Sequence, residues 1–123
     1  MPALPRIRVQ DVEGVPSIRF LDRRLFDDSI VREAADQLFA ALPTGRPITL
    51  ILDFTGVDQI SSAMLGKLIL LQRRVDTSKG QLRLCELSTT IQTVLRTTNL
   101  DRLFAVDRDR RTARESFGPG TPP

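Results

Sequence analysis

Hydrophobic positions along this chain follow two periods that alternate. Ile7, Val9 and the polar residues between them repeat every second position, the strand period, and residues 15–21 repeat it again with Ile18 and Phe20 on one face. Glu13-Gly14 between them is a turn signal, so the pair reads as a hairpin that points Arg8 and Arg19 to water or to a partner. From Ile30 onward the spacing becomes helical, through Val31, Ala34, Ala35, Leu38 and Leu42. Asp27 and Asp28 stand before it, where carboxylates offset the positive end of the helix dipole, and Pro43 and Gly45 end it. Residues 48–52 are then apolar without alternation, as in a strand buried on both faces, so this strand is expected at the centre of the sheet. The long helical connection before it implies a parallel crossover.

A second helix is expected over residues 62–76. Met64, Leu68, Leu71 and Val75 form its apolar stripe, widened by Leu65 and Ile69, and Lys67, Gln72, Arg73 and Arg74 cover the other side. Gly66 costs a helix about 1 kcal/mol relative to Ala, and is read as a point where the helix meets the sheet closely. Residues 81–87 alternate as a fourth strand. Thr89 with Gln92 forms a capping box for a short helix carrying Ile91, Val94 and Leu95, and Asn99 is its left-handed stop. Leu100, Leu103 and Phe104 are expected to pack the next corner, Ala105-Val106 to add a short last strand, and residues 110–117 to form a final helix. Residues 1–5, with two prolines, read as a loose arm, and the Gly/Pro-rich residues 118–123 as a disordered tail. The expectation is one α/β domain over residues 6–117 in the order β-β-α-β-α-β-α-β, with a possible C-terminal helix.

Composition narrows the function. The net charge of +3 comes from arginines interleaved with acids, and Trp and Tyr are absent, so neither the one-signed patch nor the stacking aromatics of a nucleic-acid binder is present. No apolar run approaches the ~20 residues of a membrane span, and no signal core follows Met1, so a cytoplasmic protein without membrane contact is expected. The single cysteine, Cys85, suits a reducing compartment and reads as a small buried hydrophobe. The absence of His removes the commonest general base and metal ligand, and no glycine-rich phosphate loop is present, so no cofactor and no catalysis are expected.

The informative stretch is the strand, loop and helix over residues 48–75, because open α/β sheets present their sites at the carboxyl ends of strands. Asp53 and Asp58 flank the loop and read as turn and capping groups. Ser61 or Ser62 is expected to cap the second helix, a contribution of about 1 kcal/mol. A serine here is also suited to phosphorylation. A phosphate adds about −1.5 to −2 charges, and a partner docked flush would have to bury them unpaired.

The run Asp53-Phe54-Thr55-Gly56-Val57-Asp58-x-Ile60-Ser61-Ser62-x-x-Leu65-Gly66-x-Leu68 resembles the core of STAS domains, the family of anti-sigma factor antagonists. Gln81-Leu82-Arg83-Leu84-Cys85 and Thr98-Asn99-Leu100-Asp101-Arg102-Leu103-Phe104 match the family's later landmarks, so the resemblance spans residues 6–107. It implies a mixed β-sheet with helices packed on it. It also implies a bacterial regulator of transcription, monomeric or a weak dimer, whose partner is an anti-sigma factor acting as a serine kinase, reset by a phosphatase. Anchoring the family's run Asp, Ser, Ser or Thr, Gly, Leu, Gly on Leu65-Gly66 sets Ser61 at the Asp and Ser62 at the first Ser. Ala63 then falls at the position read as the phosphoacceptor, and Met64 at the Gly. Ser62, with Ser61 as the alternative, is therefore expected to take the phosphate. The rival is an unmodified scaffold subunit of a larger signalling or transporter complex. A rival of another class is a small-ligand carrier or enzyme using Asp53, Asp58 and Ser62. Partner contacts are expected at Asp58, Ser61, Ser62, Ala63, Met64 and Lys67.

Overall fold

The computed structural model describes residues 4–118. Along these the chain runs β1 (Ile7–Val12), β2 (Val15–Phe20), β3 (Arg24–Leu25), α1 (Asp28–Ala40), β4 (Thr49–Asp53), β5 (Gln59–Ile60) and α2 (Ser62–Thr77). It continues through β6 (Gln81–Cys85), α3 (Thr89–Thr97), a 3-10 turn at Leu100–Arg102, β7 (Ala105–Asp107) and α4 (Arg110–Ser116). The unbroken apolar run becomes β4, the middle strand of a five-stranded sheet ordered β1-β2-β4-β6-β7. The β1–β2 hairpin is antiparallel and the other neighbours are parallel, which makes the mixed sheet expected. Glu13 and Gly14 both take positive φ, 50° and 88°, as a two-residue hairpin loop of this twist requires.

The pairing register explains why β4 is apolar throughout. Ile18, Leu52, Leu84 and Val106 lie in one row across β2, β4, β6 and β7, and Arg19, Asp53, Cys85 and Asp107 in the adjacent row, which faces the other way. The first face packs under α1, α2 and α3, whose Leu38, Leu68 and Ile91 join Leu50, Leu52 and Leu84 in the main core. The second face is covered by α4, where Ala113 meets Val15, Ile51 and Cys85, with Phe117 against them. Leu50 and Leu52 thus bury on one side and Ile51 on the other.

Two close contacts tie α2 to the sheet. The Ser78 hydroxyl accepts from Ile48 N–H at 2.9 Å and donates to the Val75 carbonyl at 2.6 Å. Gly80 passes so close to Ile48 that a Cβ there would collide with the Ile48 carbonyl oxygen, and Gln81 N–H then donates to that same oxygen at 2.8 Å.

Several local expectations are corrected. Gly66 is exposed on the outer side of α2, and a Cβ there would meet nothing within 4 Å, so the helix does not approach the sheet at this point. Gln72 is 7% exposed rather than solvated, because it shares a side of the helix with Leu65 and Leu68. Arg19 does not project freely to water or a partner; it donates to Asp53. The cap of α3 is Ser88, one residue earlier than expected, its hydroxyl accepting from Ile91 N–H at 3.2 Å. Phe104 is buried, whereas Leu103 stays exposed. Leu4 and Arg6 are held against α1 by one side chain: the Gln37 amide donates to the Leu4 carbonyl at 2.8 Å and accepts from Arg6 N–H at 2.7 Å. Residues 1–3 and 119–123, where the rest of the expected arm and the tail fall, lie outside the described residues. The expected stop at Asn99 does adopt the left-handed conformation, with φ of 61°.

Candidate functional site

Where β4 ends, Asp53 turns its carboxylate into the protein, 1% exposed. One oxygen accepts from Arg19 at 3.2 and 3.0 Å, and the other accepts from the Thr55 N–H at 2.9 Å and the Thr55 hydroxyl at 2.6 Å. Both oxygens are committed to fixing the turn that leaves the strand. Val57 N–H donates to the Phe54 carbonyl at 2.9 Å, Gly56 supplies the positive φ of 82°, and Phe54 packs its ring 5.4 Å from that of Phe20. The loop is thereby anchored from beneath by an aromatic pair and from the side by a carboxylate.

The return path of the loop is held by a two-stranded parallel ribbon of β3 and β5, which sequence periodicity did not reveal. Arg24 lies opposite Gln59 and Leu25 opposite Ile60. Asp58 N–H donates to the Arg23 carbonyl at 2.8 Å, and Ser61 N–H donates to the Leu25 carbonyl at 2.9 Å. The Asp58 carboxylate also pairs with the Arg23 guanidinium on the surface, and that hydrogen bond holds the Arg23 guanidinium above its ordinary pKa. Leu25 and Ile60 point inward, so Arg24, Phe26 and Gln59 point out. Phe26 is 55% exposed and, with Ile30, Arg23, Arg24 and Gln59, lines an open depression of about 460 Å³.

α2 begins directly after this ribbon. Ser61 is its N-cap: the hydroxyl accepts from Met64 N–H at 3.1 Å and the carbonyl from Leu65 N–H at 3.0 Å. Ser62 is the first helical residue and is exposed, and its hydroxyl has no protein partner among the described residues. Ala63 is exposed beside it, and Lys67, one turn further on, and Asp58 are half-buried. Met64 is the exception in the expected contact set. It is 0% exposed, because it belongs to the apolar stripe of α2, and it supports the loop from inside. The structure therefore brings Asp58, Ser61, Ser62, Ala63 and Lys67 to one neighbourhood, and adds Arg24, Phe26 and Gln59 to it.

Cys85, Asp53 and Asp58 are each buried or paired. Cys85 is buried next to Asp53 and Asp107 in the sheet row, and burial, then the neighbouring carboxylates, push its thiol pKa far up. Asp53 and Asp58 serve separate partners, Arg19 and Arg23. Among the described residues no three His, Cys, Asp or Glu side chains cluster as a metal site would require, and no helix is long and apolar enough to cross a membrane.

The site is thus an exposed serine at the start of a helix, with the segment before it paired to a second short strand. The family model for the STAS domain matches residues 16–113, and the chain belongs to that family. Solved structures agree in fold. An anti-sigma-factor antagonist (STAS) domain protein from Planctomyces limnophilus superposes with a TM-score of 0.79 at 23% identity, over 89% of this chain and 96% of that one. An anti-sigma factor antagonist from Mycobacterium paratuberculosis gives 0.69 at 18% identity, over 89% and 91% of the two chains. The Bacillus cell fate determinant SpoIIAA, in its phosphorylated form, gives 0.66 at 17% identity, over 89% and 98%. Curated protein sequences yield no match.

Proposed function

We propose that this chain is an anti-sigma factor antagonist. It binds an anti-sigma factor with serine-kinase activity through the surface around Asp58, Ser62, Ala63 and Lys67, and so controls sigma-factor-dependent transcription in the bacterial cytoplasm. Phosphate on Ser62 ends the contact and a phosphatase restores it. The observation that carries this reading is the state of the two serines. Ser61 is occupied as the cap of α2, whereas the Ser62 hydroxyl is exposed and free of protein partners among the described residues. Phosphate at the first turn of a helix is compatible with the fold, since it sits in the field of the helix dipole near free N–H groups. Beneath a docked partner the same dianion would be buried unpaired, and binding would be lost. No catalytic step is assigned to this chain: both Asp53 oxygens are engaged, and the Asp58 carboxylate is paired with Arg23.

The test is to purify the tagged chain from its host beside Ser61→Ala, Ser62→Ala and Ser62→Asp, and to identify bound partners and phosphate by mass spectrometry. The proposal expects an anti-sigma kinase bound to wild type and to Ser62→Ala, phosphate on Ser62 in wild type, and none in Ser62→Ala. A bound partner with Ser62 never modified would replace the switch by an unmodified scaffold role.

A further inference from the structure

The outward face of α2 is bare. Ala63, Gly66, Leu70 and Arg73 succeed one another along its exposed side, with Lys67 and Arg74 on one flank. Gly66 weakens the helix, yet nothing inside the protein requires it: its φ is not left-handed and a Cβ would stand in open space. One turn on, Leu70 leaves 49% of its surface in water. The charges are one-signed. Between Ser61 and Val75 the helix carries Lys67, Arg73 and Arg74 and no carboxylate, and the next acid, Asp76, accepts from Gln72 at 2.9 Å. Arg74 lies over the Phe39 ring at 5.3 Å, while Lys67 and Arg73 have no ion pair among the described residues.

We propose that this face receives an acidic amphipathic helix of the protein partner. The partner's backbone crosses α2 at Gly66, where the missing side chain permits close approach. Its apolar side chains pack on Leu70 and Ala63, and its carboxylates meet Lys67 and Arg73. Charge decides the occupant, because a second copy of this chain would set the same cations against one another. The inference rests on the binding role proposed above and assigns the partner's chemistry on a patch that continues from the serine loop through Ala63.

The experiment places the photo-crosslinker p-benzoylphenylalanine at Gln59, in the loop, or at Leu70, on this face, in the full chain in its host. Attached segments are mapped by mass spectrometry. A synthetic peptide of the segment caught at Leu70 is then titrated by fluorescence anisotropy against wild type, Gly66→Leu and Arg73→Glu, each first checked for folding by circular dichroism. The expected result is a segment of net negative charge that becomes helical on binding, with affinity reduced about tenfold or more in both variants. The proposal is overturned if the Leu70 probe catches a neutral or basic segment, a second copy, lipid or nothing. It is equally overturned if both variants bind within about twofold of wild type. Attachment to a partner from Gln59 but not from Leu70 leaves the serine-loop reading standing and removes this one. Failure of both probes to catch any protein removes both.

Discussion

Replacing Gly66 by Ala should stabilise the free domain. The position is mid-helix in α2 and exposed, its φ is outside the left-handed region, and the new methyl group meets no atom within 4 Å. Packing is therefore unchanged, and two effects remain. Ala has the better helix propensity, by about 0.8–1.0 kcal/mol, and the unfolded chain loses freedom, an overlapping effect of about 0.4–1 kcal/mol. A net gain of about 0.8 kcal/mol follows. For a domain of this size that is a rise of about 3–6 °C in melting temperature. Equilibrium urea unfolding should show a higher midpoint with an unchanged slope, because the surface exposed on unfolding is the same. Gly80→Ala is the counter-case. Its methyl, just before β6, would collide with the Ile48 carbonyl just before β4, so it should lower the midpoint sharply. A Gly66→Ala protein that is neutral or less stable than wild type would refute the reasoning, since it would mean that the methyl meets something.

Arg19→Met should destabilise the domain by about 3 kcal/mol, because it strands the buried Asp53 carboxylate; urea unfolding measures it, and a cost below about 1 kcal/mol would show that the pair is not what holds the loop. Asp109 caps α4, and the hydrogen bond from Thr112 N–H holds its carboxyl below the ordinary carboxylate pKa. A lowered folded pKa stabilises above the unfolded value and is lost as pH falls through the folded one. The protection factor of the Ala113 amide, its exchange taken relative to the intrinsic rate at each pH, should therefore fall on acidification in wild type and be low and far less pH-dependent in Asp109→Ala. Cys85 should resist iodoacetamide in the native protein at pH 8 and react once unfolded in urea, since burial keeps its thiol protonated; rapid native labelling would contradict the placement of α4 over it.

Much of this architecture was legible from periodicity, and the failures have physical causes. The unbroken run at residues 48–52 specified a central strand because only burial on both faces removes alternation. Asn99 and the Glu13-Gly14 turn were legible because positive φ selects few residue types. Gly66 was placed wrongly although the stripe of Met64, Leu68, Leu71 and Val75 already put it on the far side of the helix. The same wheel placed Met64 inside and Gln72 on the Leu65–Leu68 side. The β3–β5 ribbon escaped because two residues per strand show no period; its pairing is fixed by tertiary contacts between distant segments. The cap fell to Ser88, a better capping residue than the adjacent Thr89, which the Thr89–Gln92 spacing had passed over. The resemblance carried the family, while the surface partners Arg24, Phe26 and Gln59 came only from the fold.

The ribbon of β3 and β5 also determines how the serine loop is presented to other molecules. Its backbone bonds from Asp58 to Arg23 and from Ser61 to Leu25 close the segment before Ser62 into a fixed shape. Under the binding role proposed above, a partner acting on Ser62 would meet a conformational epitope rather than a linear one. The recognised shape draws on residues 23–26 as well as 58–67, more than thirty positions apart in the chain. A peptide copied from residues 55–68 would carry every neighbouring letter of the sequence and still lack half of the object being recognised.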